Sequence, residues 1–370
     1  MKVICDRSAL ADAVNIVGGV VATRSPSPVL LCVKLTAKDG RLILEGTDLE
    51  VGLRLGVDQV DVQEEGVALV PADKLSQIVR ASDDSTLTLE TEDHAMHIRG
   101  EDSHFKVFGF DPSEAPAVRD FEGLEVNTEL ECGVFKTLIS RTLFAAAAEH
   151  SRYAINGVLF DRDGRKLRLI ATDGRRLALA KGTCVSGEGT VRTIIPVKAL
   201  TLINKIIDDP EATVKIAIDE SQILFKVGDG PDSAVLSSNL VEGAFPPFED
   251  VIPKDQDKRV SFEAGVLSSA IRRAALLTNE ESKGVRLSFN EHKLTLTSRA
   301  PEMGEAEIQI DLKDYSGDPV EIGFNPGFIT DALKVVGNND VIIELKASNK
   351  PGVIKIGTDF TYVIMPVNLQ

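Results

Sequence analysis

The sequence lacks several features that would assign it to common protein classes. No run approaches 18 uninterrupted apolar residues, so we expect no membrane-spanning helix. The segment Met1–Asp6 has no apolar stretch typical of a signal peptide. Only four cysteines occur, Cys5, Cys32, Cys132 and Cys184, and none forms a CxxC pair. In a chain of 370 residues this cysteine usage predicts reduced, buried thiols and a cytoplasmic protein.

Aromatic residues and catalytic motifs are also scarce. Aromatic residues make up 5% of the chain and tryptophan is absent, so the cores must be largely aliphatic. The GxxxxGK[ST], GxGxxG and GxSxG patterns are missing, which removes the nucleotide-binding and hydrolase functions that those motifs indicate. Taken alone, the net charge of −16 argues against a nucleic-acid-binding protein, because phosphates repel an acidic surface.

What the sequence does contain is a repeated strand–turn–strand pattern, at residues 30–53, 155–179 and 283–308. In each copy a polar turn joins two runs of alternating apolar residues, which is the signature of a β-hairpin. Asp48 and Asp173 hold matching positions 125 residues apart. The hairpin therefore recurs with a nearly constant period, as in a chain built from internal repeats.

Two helical patterns accompany each hairpin. Amphipathic segments open the copies at residues 8–17, 133–146 and 265–277. A second segment follows Pro71, Pro196 or Pro326, and proline is favourable at the first helical position. The sequence thus predicts an α+β fold of three tandem units, each an antiparallel sheet with two helices on one face. We expect the units at residues 1–122, 128–255 and 258–370.

The size of such units permits a ring. A domain of this length is about 35 Å across, so three around a centre leave a gap of only ~5 Å. Six leave about 35 Å, enough for a duplex roughly 20 Å wide. A dimer closed by a twofold axis would provide six. Only the bore would then need basic residues, although the lysines and arginines of the helical segments fit ordinary solvated faces equally well.

At specific residues the chain resembles the bacterial sliding clamp family, the β subunit of DNA polymerase III. The matching segments are GTDLE (46–50), RYAINGVLF (152–160), ATDGRRLAL (171–179), LVEGAFPPFEDVIP (240–253), KGVRLSF (283–289) and YVIMPVNLQ (362–370). The resemblance covers the chain end to end. It implies a head-to-tail homodimer forming a six-domain ring around double-stranded DNA, without sequence preference, catalytic activity, cofactor or metal. Such a ring confers processivity on its partners.

The resemblance also implies a partner-binding groove. The expected partners are the DNA polymerase III catalytic subunit, the clamp loader, repair polymerases and other proteins with a clamp-binding motif. Asp250 and Asn368 stand where many relatives carry a basic residue, so the preferred peptide charge differs. Residues matching the groove are Ile155, Thr172, Gly174, Arg175, Arg176, Leu177, Pro246, Val251, Val363, Met365, Pro366, Val367 and Leu369, with Pro351 and Val353 by a looser alignment.

DNA contacts and the dimer seam follow from the same resemblance. The residues implied for DNA binding are Arg24, Lys74, Arg152, Tyr153 and Lys198. Asp73 replaces a commonly basic residue, which weakens that contact. The residues implied for the seam are Phe105 and Val107 on one chain and Leu276 and Leu277 on the other. The seam would join the first unit of one chain to the third unit of its partner.

Three functions other than that of a sliding clamp are considered: acid–base catalysis, metal binding and protein binding without DNA. Asp48 and Asp173 could act as acids or bases, but an aspartate after threonine at a turn typically bonds its own backbone. His94 and His97 could bind a metal, but residues three apart on a strand face opposite sides. A repeat-built scaffold that binds proteins and no DNA is favoured by the net charge of −16 and the apolar tail.

Overall fold

The computed structural model describes residues 1–147, 155–230, 232–278, 284–301, 303–337 and 339–368. Within these ranges the chain forms six α-helices and 26 strands. The helices are α1 (Arg7–Gly18), α2 (Ala72–Ala81), α3 (Cys132–Thr142), α4 (Val197–Ile206), α5 (Ala264–Ala274) and α6 (Pro326–Val336).

The strands follow in chain order. The first nine are β1 (Lys2–Asp6), β2 (Cys32–Lys38), β3 (Arg41–Thr47), β4 (Val51–Val57), β5 (Val60–Glu64), β6 (Gly66–Pro71), β7 (Thr86–Glu92), β8 (Ala95–Arg99) and β9 (His104–Phe108). The next nine are β10 (Thr128–Glu131), β11 (Gly157–Asp163), β12 (Lys166–Thr172), β13 (Arg176–Thr183), β14 (Ser186–Gly187), β15 (Thr190–Pro196), β16 (Thr213–Ile218), β17 (Gln222–Val227) and β18 (Ala234–Asn239). The last eight are β19 (Lys258–Glu263), β20 (Val285–Phe289), β21 (Lys293–Ala300), β22 (Gly304–Asp311), β23 (Val320–Phe324), β24 (Asp340–Leu345), β25 (Gly352–Ile356) and β26 (Phe360–Ile364).

The chain divides into two compact units. Unit 1 comprises Met1–Lys136, Cys184–Gly189 and Ile195–Leu240, and unit 2 comprises Thr137–Thr183, Thr190–Ile194 and Val241–Gln370. The middle repeat is divided between them, because each of its two half-sheets continues into a half-sheet of a neighbouring repeat. Each unit therefore contains one whole repeat and the half of the middle repeat whose strands pair with it.

Unit 1 contains two antiparallel sheets. The smaller has the order β5-β1-β7-β8-β9, and the larger has the order β14-β10-β16-β17-β18-β4-β3-β2-β6. In the larger sheet, β18 of the second repeat pairs with β4 of the first, with Leu236 opposite Leu53. Helix α1 packs on α2, β3 and β4, and also contacts α4.

Unit 2 repeats the same plan. Its sheets have the orders β15-β11-β12-β13-β26-β25-β24-β19 and β22-β21-β20-β23. Strand β26 of the third repeat pairs with β13 of the second, with Tyr362 opposite Ala178. Helix α5 packs on α6, β21 and β22. The order of strands and helices recurs three times, so the predicted triplication and the α+β class are confirmed.

The helices form where the amphipathic pattern predicts them, although the prolines act differently from our expectation. Pro326 is the first residue of α6, but Pro71 and Pro196 are N-cap residues of α2 and α4. These two keep extended ψ angles of 119° and 143° because each also ends a strand. They stop the strand one residue before the helix begins, and the missing proline N–H costs neither element a hydrogen bond.

The core of both units is aliphatic, as the composition predicts. All four cysteines are free and buried, and burial raises the pKa of Cys32 to about 11. Such a thiol stays protonated at neutral pH and packs as a small apolar side chain. Among the helices in the described ranges, none combines the length and apolar character needed to cross a bilayer.

Candidate functional site

A tight turn connects β12 to β13 at Thr172-Asp173-Gly174. The Thr172 hydroxyl donates to the Arg176 carbonyl at 2.7 Å, and the amides of Arg175 and Arg176 donate to Asp173 Oδ1 at 2.9 and 3.0 Å. Gly174 has φ +86°, a conformation that suits glycine. Asp173 is thus occupied by its own turn, as predicted, and gives no support to acid–base catalysis.

The same turn recurs in unit 1. The Thr47 hydroxyl donates to the Val51 carbonyl at 2.8 Å, and the amides of Glu50 and Val51 donate to Asp48 Oδ1 at 3.0 and 2.8 Å. Leu49 takes the glycine position with φ +78°. The structural role of the repeated aspartate is therefore the same in both copies.

A small apolar cavity lies beside the unit 2 turn, with a volume of about 30 Å³. Leu177 and Val363 lie at its base, and both belong to a core cluster with Leu159, Ile170 and Phe248. Because these side chains are buried and close-packed, the cavity has a rigid base. The residues that line it are Thr172, Gly174, Arg175, Arg176, Leu177, Val251, Val363 and Met365, all of which the resemblance had assigned to the groove.

Arg176 holds this cavity wall in place. Its Nε donates to Asp173 Oδ2 at 3.0 Å, its Nη1 to Asp331 Oδ2 at 2.8 Å and its Nη2 to the Phe144 carbonyl at 2.8 Å. The guanidinium also lies 4.5 Å from the ring centre of Phe328. Arg176 therefore binds protein acceptors, and its side chain is only 12% exposed. Arg175 is the exposed member of the arginine pair.

The C-terminal segment forms one side of the site. The Met365 amide donates to the Arg175 carbonyl at 2.9 Å, and the Val367 amide donates to the Gly323 carbonyl at 2.8 Å. Met365 is 39% exposed, and it borders both the small cavity and a wider depression that Pro366 and Val367 also line. A flexible thioether between two hollows suits a surface that accepts different apolar side chains.

Other residues assigned to the groove lie at varied depths. Val353 is completely buried opposite Val363, so its side chain is beyond the reach of a bound peptide. Ile155 is buried, while Pro246 and Pro351 are half-buried, and none of them borders the small cavity. Leu369 lies outside the described residues.

The residues implied for DNA binding belong to unit 1 where they are described. Lys74 lies on α2, and Lys198 lies on α4. Arg24 is exposed in the segment after α1, and α1 contacts both of those helices. The Nζ atom of Lys74 lies 3.5 Å from Asp73 Oδ2, so the aspartate offsets part of the positive charge that Lys74 presents to a phosphate. Arg152 and Tyr153 fall outside the described residues.

Lys198 is held by its own chain. Its Nζ donates to Asp48 Oδ2 at 2.6 Å and to the Val20 carbonyl at 2.9 Å. Burial acts to raise the pKa of Asp48, but hydrogen bonds from Lys198 and from the turn amides outweigh it and lower the pKa. Asp48 therefore stays ionised and neutralises much of the charge that Lys198 would offer to a phosphate.

The residues predicted for a dimer seam lie at two strand edges. Phe105 and Val107 belong to β9, which ends the smaller sheet of unit 1. Leu276 and Leu277 lie in a 3-10 turn beside β22, which ends the smaller sheet of unit 2. Leu276 is 77% exposed, an unusual state for a leucine beside a strand edge. Both edges lack a neighbouring strand among the described residues.

Sequence reasoning missed the partner of His97. His94 lies in the turn between β7 and β8, so the expected opposition of strand faces does not apply to it. His97 is buried on β8, and its Nδ1 lies 2.8 Å from Nε2 of His104 on β9. The alternating pattern places His104 on a face but does not reveal which neighbour pairs with it. In the described part of the chain, no three His, Cys, Asp or Glu side chains are grouped as metal ligands would be.

The strand order, the repeated turn and the apolar cavity together define a three-domain DNA clamp. Three family models match in succession: the N-terminal domain of the DNA polymerase III beta subunit over residues 1–119, its central domain over 129–247 and its C-terminal domain over 249–368. The chain belongs to the DNA polymerase III beta subunit family, whose members are sliding clamps and not enzymes.

Individual relatives agree with the family match. The chain is 33% identical over 373 residues to the beta sliding clamp of Pseudomonas putida and 32% identical over 372 residues to that of Escherichia coli, with 100% of each chain covered. Its structure matches that of a Pseudomonas aeruginosa sliding clamp bound to griselimycin, with a TM-score of 0.90, 31% identity and 100% of both chains covered. A Bacillus subtilis clamp gives a TM-score of 0.90 at 27% identity, also with 100% of both chains covered. These matches support a DNA sliding clamp and not the alternative of a scaffold without DNA binding.

Proposed function

We propose that two copies of this chain close head to tail around duplex DNA, and that the ring tethers polymerases and other replication and repair proteins through the unit 2 cavity. The observation that carries this proposal is a strand pairing that occurs twice within the chain and leaves one matching pair of edges open. We also infer that the three domains comprise residues 1–122, 128–255 and 258–370.

The two internal seams share one register. Each joins equivalent strands, with Leu236 opposite Leu53 in one and Tyr362 opposite Ala178 in the other. Leu53 pairs with the sixth residue of β3, and Ala178 pairs with the sixth residue of β12. Ala306 on β22 likewise pairs with the sixth residue of β21. Ala306 is therefore the third-repeat equivalent of Leu53 and Ala178.

The other side of the seam has an equivalent residue in the first repeat. Leu236 pairs with Phe225 on β17, and Phe225 pairs in turn with the fourth residue of β16. Tyr362 is aligned in the same way with the fourth residue of β24. Phe105 on β9 is aligned, through Ile98, with the fourth residue of β7. The third seam consequently places Phe105 opposite Ala306 of a second copy.

This register brings opposite charges together. With Phe105 opposite Ala306, antiparallel pairing places Lys106 opposite Glu305 and His104 opposite Glu307 of the second copy. Along β22 the glutamates are exposed and the alanine and isoleucines are half-buried, so the charged pairs share the outer face. The exposed leucine Leu276 lies beside the same edge and supplies apolar area to cover. Two such seams close a ring of six domains.

Partner binding is proposed for the cavity because its base is rigid, its walls are apolar and one wall is a short C-terminal segment. These features suit a short peptide that inserts apolar side chains and bonds main-chain groups at the rim. Asp250 and Asn368 are exposed beside this region and favour a peptide that carries positive charge at its flank.

The DNA contacts are proposed to be few and weak. Lys198 is balanced by Asp48 and Lys74 by Asp73, which leaves exposed Arg24 as a strong phosphate ligand among these described residues. Weak phosphate contacts position a duplex without reading its bases, and they permit the ring to slide.

The test is a ring closed covalently on DNA. A Lys106→Cys, Glu305→Cys variant should form an intermolecular disulfide, because directly opposed residues in an antiparallel pair lie within bonding range. Diluted protein is mixed with a plasmid, oxidised and passed through a gel-filtration column at high salt. We expect the crosslinked dimer to stay on the circle and to leave it once a restriction enzyme cuts the DNA.

The matched control is Lys106→Cys with Gln309→Cys, which moves the second cysteine four residues along β22 and should not crosslink. Equal retention on circular and linear DNA would contradict a topological link. A crosslink in the control but not in the test variant would contradict the register.

A further inference from the structure

A pair of histidines connects the interior of the unit 1 sheet to its open edge. His97 Nδ1 and His104 Nε2 are 2.8 Å apart, and the two rings are nearly parallel, at 16°, with centroids 5.1 Å apart. On the far side of His97, its Nε2 lies 3.3 Å from Glu92 Oε2. His97 is 8% exposed, whereas His104 is exposed on the edge strand β9. A line of three titratable groups thus runs from β7 to the edge.

In the single chain, the groups around His104 are predominantly cationic. Arg99 on β8 and Lys106 on β9 flank it, while Glu90 on β7 lies 3.7 Å from Arg99. Desolvation, together with the charges of Arg99, His97 and Lys106, lowers the pKa of His104. The imidazole is therefore neutral at physiological pH while the edge is open.

We propose that ring closure takes up a proton at His104, because docking of β22 from a second copy places Glu307 opposite this imidazole. The inference rests on the ring proposed above and on the register of its third seam. It adds a regulation of that seam: the dimer tightens as the pH falls through the neutral range.

The positions of the protons on the charged pair follow from the groups around each ring nitrogen. A protonated His104 donates its Nε2–H to Nδ1 of His97, and His97 then carries its own proton on Nε2, facing Glu92. The remaining Nδ1–H of His104 is free to donate to Glu307 of the second copy. A charge-assisted bond of this kind is stronger than one between neutral groups. His97 acts as a positioning residue, since its bond fixes the ring of His104.

The direction of the pH effect follows from the change in surroundings. Glu307 and Glu305 of the second copy add negative charge near His104, so its pKa is higher in the dimer than in the single chain. The added stability is present in full below the single-chain pKa, and it is lost as the pH rises through the dimer pKa. Arg299, which lies 3.2 Å from Glu305, moderates the effect of that glutamate.

The expected magnitude is measurable. A rise of one pKa unit tightens one seam by about tenfold at a pH below both values. A ring has two seams, so the dimer dissociation constant would fall by up to about a hundredfold once the pH lies below both values, and by part of that between roughly pH 8 and pH 6.

The experiment measures dimer dissociation by sedimentation equilibrium of the full chain at about pH 6, 7 and 8 and constant ionic strength. His104→Gln keeps a side chain that can hydrogen-bond with His97 but cannot titrate, and Glu307→Gln removes the partner charge. We expect both variants to lose the pH dependence. His292→Gln, at a histidine that is 81% exposed in a turn, should keep it.

A second measurement follows the imidazole itself. NMR titration of His104 should show a higher pKa in the wild-type dimer than in a monomer made by Leu276→Asp with Leu277→Asp. An equal pKa in both, or a wild-type pH dependence that persists in His104→Gln, would overturn the proton linkage while leaving the dimer intact. A wild-type chain that stays monomeric at every pH would overturn the ring itself.

Discussion

At the scale of single residues, two adjacent arginines have different roles. Arg175 is exposed at the cavity rim, whereas Arg176 connects β13 to Asp331 on α6 and to the Phe144 carbonyl. Three donors of Arg176 satisfy acceptors on three segments: Asp173 in the turn, Asp331 on α6 and the Phe144 carbonyl. The difference comes from position, since Arg175 lies in the turn and β13 begins at Arg176.

Arg176→Ala should destabilise unit 2 by about 2–4 kcal/mol, because it leaves Asp331 with only the exposed Lys334 as a cationic partner and removes a donor from the Phe144 carbonyl. Arg175→Ala, the matched control, should change the free energy of unfolding by less than about 0.5 kcal/mol. Urea unfolding of the two variants makes the comparison. Similar losses in both would mean that the contacts of Arg176 contribute little to stability.

At the scale of elements, the C-terminal segment after β26 is attached by few bonds. Met365 and Val367 each donate one backbone hydrogen bond, and the strand has ended at Ile364. A wall of this kind can be removed without disturbing the sheet, in contrast to Val363, which belongs to the core cluster.

Deletion of Met365–Gln370 should abolish binding of a fluorescent peptide taken from the cognate polymerase, while the dimer persists in sedimentation. Met365→Ala should weaken peptide binding by roughly tenfold, the effect of removing a side chain from one apolar contact. Unchanged peptide affinity after the deletion would place the docking site elsewhere on the chain.

The elements could be predicted well from the sequence because their signals are local. Hairpin turns and helix faces depend on residues within a few positions of one another, and triplication supplied three examples of each. Contacts between distant residues were less predictable. The bond of Lys198 to Asp48 spans 150 positions, and no pattern along the chain indicates that the lysine is neutralised. Pro71 and Pro196 were wrongly placed by one residue because strand ends and helix starts favour the same amino acid there.

At the scale of the whole molecule, the strand edges β9 and β22 are where we propose that two copies assemble. Replacing Leu276 and Leu277 by Asp should give monomers, since two carboxylates would enter an apolar seam. The single chain should still fold, because Leu276 is already 77% exposed. Sedimentation velocity measures the outcome, and Leu49→Asp, at another exposed leucine, is the control that should remain a dimer. A dimer that persists with both aspartates would show that the seam lies elsewhere.

The two open edges, β9 and β22, are different from each other, so the interface that we propose between them is heterologous, with the copies arranged head to tail. A head-to-tail interface gives a closed dimer only when the angle between successive domains brings the free β22 edge of the second copy to the free β9 edge of the first. With any other angle between domains, further copies would add at the free edges and form an open filament. Substitutions that change this angle are therefore expected to produce filaments at high protein concentration and not inert monomers, and electron microscopy would distinguish the two.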